Sequence, residues 1–108
     1  PILLSFSGSD WCGWCIKLDE EVFSQPEFQQ WANANVIPVQ LDFPRNHTLD
    51  AALAQQNERL SEKYGIEGFP TVLLVNADGK ELVRTGYRKG GPAAYVEHLE
   101  QQMGKNRQ

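Results

Sequence analysis

The chain contains two cysteines, Cys12 and Cys15, and only two residues separate them. In the chain-entropy model, a disulfide that closes a ring of four residues contributes about 2 kcal/mol to stability, against about 4–5 kcal/mol for a loop of about 100 residues. Small domains that depend on disulfides for stability spread their cysteines along the chain. The spacing therefore indicates a chemical role for the pair, and it requires the chain to fold around an ordinary hydrophobic core.

The composition supports such a core and argues against several classes of protein. The 108 residues are 41% hydrophobic, which suits one folded domain. The longest aliphatic run, Val72–Val75, is far shorter than the roughly 18–20 residues of a membrane helix, so we expect no membrane span. The net charge is −4 and the basic residues do not cluster, which argues against nucleic-acid binding. The chain begins at Pro1 without an initiator Met, so we expect a processed or trimmed product, and the missing secretory signal says little about its compartment.

Apolar periodicity predicts a mixture of strands and helices. Short apolar runs predict strands at Ile2–Phe6, Val36–Phe43, Thr71–Val75 and Glu81–Thr85. Helices are expected to begin near Cys12, near Pro26, after Thr48 as N-cap, and at Pro92. Gly65 is expected to end the third helix, and the Asp-Gly step within residues 76–79 is typical of a hairpin. Because Pro38 cannot donate a ladder hydrogen bond, its strand belongs at a sheet edge or contains a bulge.

The predicted order is β-α-β-α-β-β-α, in one α/β domain over residues 1–103 with a frayed polar tail at 104–108. The first strand-helix-strand unit is expected to be parallel and right-handed, and the second half is a hairpin covered by a helix. This order predicts a mixed sheet of about four strands with helices on both faces. Open α/β sheets place their sites at the carboxyl ends of strands, and the two cysteines follow the first strand.

The position of Cys12 favours a reactive thiolate. A thiolate attacks disulfides and a thiol hardly does, yet at a pKa near 8.5 only about 3% of a cysteine is ionised at pH 7. Cys12 begins a helix, where unpaired N–H groups and the helix dipole lower a thiol pKa. Cys15 lies one turn later, on the apolar face of Leu18 and Val22. We therefore expect Cys12 to attack the substrate and the more buried Cys15 to resolve the mixed disulfide.

Two motifs in the right order carry a resemblance to a known family. They are Trp11-Cys12-Gly13-Trp14-Cys15-Ile16-Lys17 and Tyr64-Gly65-Ile66-Glu67-Gly68-Phe69-Pro70-Thr71. With them the chain resembles the thioredoxin superfamily over almost its whole length. Longer stretches are similar to bacterial periplasmic thioredoxin-like disulfide oxidoreductases of the DsbH type, and more distantly to the DsbD C-terminal domain. These stretches lie at residues 6–12, 41–44, 85–87 and 90–96.

The resemblance implies a thioredoxin-like fold that lacks the first strand and helix of full-length thioredoxins, which leaves the Pro38 strand at an edge. It implies thiol-disulfide exchange, with reduction of protein or peptide disulfides as the favoured direction. The redox centre would be the Cys12–Cys15 disulfide, with no separate cofactor and no metal. The protein would be periplasmic or otherwise extracytoplasmic, and a thiol electron donor such as a membrane reductase would restore the dithiol. No dimerisation segment is evident, which favours a monomer.

The resemblance also implies a substrate groove. The expected substrate-binding and supporting residues are Trp11, Gly13, Trp14, Phe69, Pro70 and Gly86. Pro70 is expected to be cis and to face the dithiol, and the backbone of Phe69 is expected to be free to pair with a substrate strand. Trp14 is expected to be exposed in substrate contact, whereas Trp11 serves mainly in packing. Gly86 and Tyr87 either line the groove or simply end a strand.

The chain departs from the family pattern at two places. Thioredoxins have proline where this chain has Trp14, and the central dipeptide tunes the reduction potential, so the potential does not follow from the sequence. Thioredoxins also carry a buried Asp on the first strand that helps to deprotonate the resolving thiol, and the matching residues here, Ser5 and Phe6, provide no acid. Either water or another carboxylate takes that role. Asp19, one turn after Cys15, is the candidate proton acceptor.

Two hypotheses from other functional classes remain open. In one, the chain is a binding module whose redox pair is idle. In the other, the two thiolates carry a metal ion, although zinc usually needs four ligands and the remaining strong ligands, His47 and His98, lie in separate segments.

Overall fold

The computed structural model describes residues 1–106 of the chain, with side chains described as far as residue 104. The strands are β1 (Ile2–Ser7), β2 (Ile37–Asp42), β3 (Thr71–Val75) and β4 (Glu81–Thr85). The helices are α1 (Gly13–Leu18), α2 (Pro26–Asn35), α3 (Ala51–Lys63) and α4 (Gly91–Asn106), and a π-helical segment (Asp19–Phe23) continues α1. Within residues 1–106, none of the helices combines the length and the hydropathy that crossing a bilayer requires.

The four strands form one mixed sheet in the order β2-β1-β3-β4. β1 is parallel to β2 and antiparallel to β3, and β3 and β4 form the predicted hairpin. The N–H of Ile37 donates to the carbonyl of Pro1, and the N–H of Phe43 donates to that of Ser7, both on the β1 side. Because strand residues alternate in direction, the nitrogen of Pro38 faces the outer edge, where it has no N–H to offer a further strand. The α/β class, the mixed four-stranded sheet and the edge position of Pro38 are thus confirmed.

Helices cover both faces of the sheet, as predicted. On one face α1, the π-helical segment, α2 and α4 pack against a core that includes Leu3, Leu18, Val22, Phe28, Val72, Leu74, Tyr95 and Leu99. On the other face α3 and the loops beside it cover Leu4, Phe6, Leu41, Leu73 and Val75. β1 and β3 supply buried residues to both faces, which explains why their sequences are continuous apolar runs rather than alternating ones.

Several element boundaries differ from the predicted ones. β1 extends one residue further than predicted, to Ser7. The N-cap of α3 is Asp50 and not Thr48, because the carboxylate of Asp50 accepts the N–H of Ala52 at 3.2 Å. Gly65 ends α3 with a positive φ of 61°, as predicted. The residues predicted as a polar tail are helical from 104 to 106, and residues 107 and 108 lie outside the described part of the chain.

Candidate active site

Cys12 and Cys15 lie beyond the carboxyl end of β1, at the start of α1. Cys12 is the N-cap of α1, and a disulfide joins the two residues, whose Cα atoms are 5.2 Å apart. The backbone N–H of Cys15 donates to Sγ of Cys12 at 3.3 Å. A donor directed at this sulfur stabilises its charged form once the disulfide is reduced. The local geometry therefore favours Cys12 as the thiolate of the pair.

The two cysteines differ little in burial. Cys12 is 8% exposed and Cys15 is 4% exposed, so Cys15 is the deeper residue by a small margin. Trp14, between them in the chain, is 57% exposed. The indole of Trp14 therefore supplies much of the accessible surface beside the disulfide.

Trp11 connects the loop that carries Cys12 to two other loops. Its indole N–H donates to the carbonyl of Phe43 at 2.6 Å. Its ring meets the Phe69 ring edge-on at 5.8 Å, and the guanidinium of Arg45 lies 3.7 Å from the ring centroid. A Cβ at Gly8 would run into the same indole, so the absence of a side chain at Gly8 allows the ring to lie there. Trp11 is thus a packing residue with a defined hydrogen bond.

Two aspartates fasten the same loop to the segment that follows β2. The carboxylate of Asp10 accepts the N–H groups of Arg45 and Asn46 at 3.0 and 2.9 Å and contacts Nδ1 of His47 at 3.1 Å. The N–H of Arg45, with further contributions from Asn46 and His47, lowers the pKa of Asp10 below its ordinary value. Asp42, at the end of β2, accepts the N–H and the hydroxyl of Ser9. The residues leading to Cys12 are therefore held by charge-assisted hydrogen bonds.

A second aromatic group lies on the other side of the dipeptide between the cysteines. The rings of Trp14 and Tyr87 are 5.1 Å apart, and the Lys17 ammonium lies 5.1 Å from the Trp14 centroid and 5.5 Å from that of Tyr87. The Tyr87 hydroxyl donates to Glu21, which raises the pKa of Tyr87, and Glu21 also pairs with Lys17 at 3.9 Å. These contacts fix the orientation of an otherwise exposed tryptophan.

Phe69, Pro70 and Gly86 form the surface expected to receive substrate. The peptide bond between Phe69 and Pro70 is cis. A Cβ at Gly86 would lie 3.0 Å from the carbonyl oxygen of Pro70, so β4 ends against this loop because Gly86 has no side chain. The buried hydroxyl of Tyr95 donates to the Gly86 carbonyl at 2.8 Å. Within residues 1–106, the backbone of Phe69 forms no hydrogen bond, so both of its polar groups are available.

A cavity of about 440 Å³ lies behind Cys15, between the sheet and the helices α1 and α2. Its polar lining includes Ser5, Ser7 and Asp19, and Pro70 also borders it. Ser5 and Ser7 are both buried residues, at 7% exposure each. Asp19 is exposed, so it does not reproduce a buried acid, but it lines the same cavity as Cys15.

The structure adds residues that the sequence did not single out. Asp10, Asp42 and Arg45 organise the loop before Cys12, and Glu21 orients Tyr87. The turn-forming composition of residues 7–10 was visible in the sequence, but nothing in it showed which segment would supply their partners. Of the candidate metal ligands, His47 contacts Asp10, and Nε2 of His98 lies 2.9 Å from the Thr85 hydroxyl. Among the described residues, no three His, Cys, Asp or Glu side chains form a group that could hold a metal ion.

Comparison with known families gives a match over nearly the whole chain. A family model described as a thioredoxin-like domain matches residues 1–102. The disulfide bond reductase DsbH of Chlamydia pneumoniae is 41% identical over 96 residues, which cover 89% of this chain and 58% of that protein. The thiol:disulfide interchange protein DsbD of Klebsiella pneumoniae is 32% identical over 102 residues, which cover 92% of this chain and 15% of that protein. The chain therefore spans little more than half the length of the first relative and a small part of the second.

A solved structure agrees with these sequence relationships. A structure titled DsbH oxidoreductase superimposes with a TM-score of 0.92 and 37% identity, covering 95% of this chain and 72% of that one. The match extends over the sheet and the helices of both faces, so the fold predicted from the sequence is the fold of this relative.

Proposed function

The chain belongs to the thioredoxin-like family, and from that membership we propose that it is a thiol-disulfide oxidoreductase that reduces disulfide bonds in proteins. One observation carries the proposal: the N–H of Cys15 points at Sγ of Cys12, within a Cys12–Cys15 disulfide that sits next to exposed aromatic surface. The related DsbH of Chlamydia pneumoniae is named a disulfide bond reductase, which supports the reducing direction.

The reaction transfers two electrons in two exchanges. In the reduced protein, the thiolate of Cys12 attacks one sulfur of a substrate disulfide; the substrate S–S bond breaks, and the leaving thiolate takes a proton from solvent. Cys15 then loses its proton, and its thiolate attacks Sγ of Cys12. The mixed disulfide breaks, the second substrate thiolate leaves, and the Cys12–Cys15 disulfide forms. A thiol electron donor reverses these steps on the protein and restores the dithiol.

The surface around the disulfide suits an extended substrate segment. The free N–H and carbonyl of Phe69 pair with the substrate backbone beside its cysteine, as in the addition of a strand to a sheet edge. Pro70 has no N–H that could compete for the substrate sulfur. Because Gly86 has no side chain, β4 can end directly against the loop that contains Pro70. The exposed Trp14 contacts the substrate, and Trp11 supports the loop that carries Cys12. Gly13, between Cys12 and Trp14, places no side chain in the way of the substrate.

Asp19 accepts the proton of Cys15 through solvent in the cavity that both residues line. Ser5 and Ser7 line the same cavity, and their hydroxyls are suited to bind that solvent, because a hydroxyl both donates and accepts hydrogen bonds. The test is the alkylation pKa of Cys15 in a Cys12→Ser background, which is expected to fall when Asp19→Asn is added, because the carboxylate then no longer opposes the charge of the Cys15 thiolate. The control is Asp78→Asn, because Asp78 lies in the hairpin turn and does not line this cavity. An unchanged alkylation pKa in Asp19→Asn contradicts this assignment.

The resemblance of the sequence to periplasmic thioredoxin-like oxidoreductases supports an extracytoplasmic, periplasmic location for the protein. We propose that a thiol electron donor, such as a membrane reductase, restores its dithiol, and the similarity to a thiol:disulfide interchange protein fits such an exchange. The protein is expected to act as a monomer, with the Cys12–Cys15 disulfide as its redox centre and no added cofactor.

The decisive experiment is reduction of insulin in the presence of dithiothreitol, combined with trapping. Wild-type protein should accelerate insulin precipitation, and Cys12→Ser should abolish the acceleration. Cys15→Ser should accumulate mixed disulfides with substrate, because the resolving attack is lost. No acceleration by the wild type would instead indicate a binding module with an idle disulfide, and stoichiometric metal in untagged protein would indicate a metal carrier. A reduction potential above that of the glutathione couple would contradict the reducing direction.

A further inference from the structure

Arg45 occupies an unusual position next to the nucleophile. Its guanidinium lies 3.7 Å from the centroid of the Trp11 ring, and Trp11 immediately precedes Cys12 in the chain. The backbone of Arg45 is fixed as well, because its N–H donates to the carboxylate of Asp10 at 3.0 Å. Stacking and backbone anchoring together hold an exposed cation beside the site, so little side-chain freedom remains to be lost when it binds a partner.

The guanidinium has no carboxylate partner of its own within residues 1–104, which distinguishes it from neighbouring cations. Lys17, on the other side of the disulfide, pairs with Glu21, and Arg84 pairs with Glu81. Arg45 contributes to none of the salt bridges of the described residues. A guanidinium stacked by its face keeps the N–H groups of its edge free, and those groups match the two oxygens of a carboxylate.

Arg45 also lies on the side of Cys12 where a substrate segment would pass. The Trp11 ring contacts both Arg45 and Phe69, and Phe69 carries the free backbone groups proposed to pair with substrate. A substrate held there presents the side chains that flank its cysteine towards the Trp11 wall. A carboxylate at one of those positions would meet a fixed cation in a chain whose net charge is −4.

We propose that Arg45 is a specificity-determining residue that binds a carboxylate flanking the substrate cysteine, so that the protein prefers acidic disulfide substrates. This proposal rests on the proposed function, because it describes which disulfides the Cys12 thiolate reaches first. Attraction between Arg45 and an acidic segment accelerates productive encounter and weakens as salt screens the charges.

The test uses peptide dimers linked by one disulfide, with Glu, Gln or Lys on both sides of the cysteine. Reduced protein is mixed with each dimer, and single-turnover oxidation is followed by quenching and chromatography. Each rate is divided by the rate of dithiothreitol with the same dimer, which removes the effect of the flanking charge on the disulfide itself. We expect wild-type protein to favour the Glu dimer over the Gln dimer about 3- to 10-fold at low ionic strength.

Arg45→Gln should reduce this preference to about 1, and Arg45→Glu should reverse it in favour of the Lys dimer, which a poorly folded variant would not do. The matched control is Arg59→Gln, which removes the same charge from the exposed surface of α3 and should keep the wild-type preference. A Glu preference that persists in both Arg45 variants, or its absence in an active wild type, overturns the role of Arg45. A wild type that reduces no dimer overturns the proposed function itself.

Discussion

Gly86 shows how the absence of one methyl group shapes the site. A Cβ there would lie 3.0 Å from the carbonyl oxygen of Pro70, a backbone atom that cannot turn aside as a flexible side chain would. We therefore expect Gly86→Ala to push β4 and the Phe69–Pro70 loop apart. Unfolding in urea should show a loss of about 1–3 kcal/mol, the usual cost of overpacking. Disulfide reduction should slow as well, because the loop beside Cys12 moves.

Gly68 provides the matched control. It precedes the same loop, its φ is not positive, and an added Cβ would meet nothing within 4 Å. Gly68→Ala should therefore be near neutral in stability. Equal destabilisation by the two substitutions would show that the Gly86–Pro70 contact is not the cause.

Tyr95 makes the stability of the folded protein depend on pH in the alkaline range. Burial raises the pKa of Tyr95 well above its ordinary value near 10, and its hydroxyl donates to the Gly86 carbonyl. Because the folded protein keeps this proton while the unfolded chain loses it, the unfolded state binds fewer protons above pH 10, and stability falls as pH rises. The contribution of Tyr95 to the free energy of unfolding is therefore present below pH 10. Above pH 10 it falls by about 1.4 kcal/mol per pH unit, as long as Tyr95 stays protonated in the folded protein.

The prediction is a comparison of Tyr95→Phe with wild type between pH 8 and pH 11.5. At pH 8 the variant should be less stable by about 1 kcal/mol, the usual worth of a buried hydrogen bond. Above pH 10 its stability should fall less steeply, so the two urea-unfolding curves should converge. Parallel curves over the whole range would contradict the assignment, since Tyr95 would then titrate alike in both states.

At the scale of elements, the loop before Cys12 and the segment after β2 behave as one unit. Asp10 contributes most of the contacts, through the N–H groups of Arg45 and Asn46 and the ring of His47. We expect Asp10→Ala to increase amide hydrogen exchange in residues 8–12 and 43–47 together, because each loop loses its partner. Exchange in β3 and β4 should stay unchanged.

Asp50→Ala serves as the comparison for Asp10→Ala. Asp50 caps α3, so its removal should cost about 1 kcal/mol and speed exchange in the first turn of that helix, but not in residues 8–12. If Asp10→Ala leaves exchange at residues 43–47 at the wild-type rate, the two segments are not coupled. The lowered pKa of Asp10 sets the pH range of this coupling, which is complete above the ordinary pKa of an aspartate and is lost as pH falls through the lowered value.

The same unit marks the limit of prediction from sequence at this scale. The strand bounds of the hairpin and the end of α3 at Gly65 followed from local chemistry, because turn residues act on their own neighbours. The prediction of Thr48 as the N-cap of α3 was wrong, because Asp50 is the N-cap. Thr and Asp are both good N-cap residues, and the choice between them depends on how the segment after β2 packs. The partners of Asp10 are 35 to 37 residues away, and no local pattern encodes such pairs.

For the whole molecule, the mixed sheet and its β2 edge were predicted from the sequence, whereas the complete order of the strands was not. Ile2–Phe6 and Thr71–Val75 are mainly apolar runs, as is typical of strands covered on both faces, and Pro38 marks β2 as an edge. The position of the cysteines after β1 then placed the site. The cavity behind Cys15 was not predictable, because it depends on how far α2 stands from the sheet. Asp19, the proposed proton acceptor, is exposed and lines that cavity, and its role stays a prediction.

The outer edge of β2 carries a prediction about the whole molecule. The N–H groups of Ile37 and Phe43 face β1, so the alternate positions of β2 face outwards, and there Pro38 interrupts the row of donors. Pro38→Val would complete that row without placing a charge on it. We expect this variant to self-associate through paired β2 edges at concentrations where the wild type does not, as measured by sedimentation velocity.

Pro44→Val is the control for that experiment, because it also replaces a proline by valine, but at a position beyond the end of β2. The variant should sediment as the wild type does. Pairing along β2 leaves the disulfide at the end of β1 accessible, so associated Pro38→Val protein should still reduce insulin. If Pro38→Val sediments like the wild type at every concentration, the missing N–H is not what keeps this edge unpaired, and the side chains beside it, Ile37 and Gln40, would have to be tested instead.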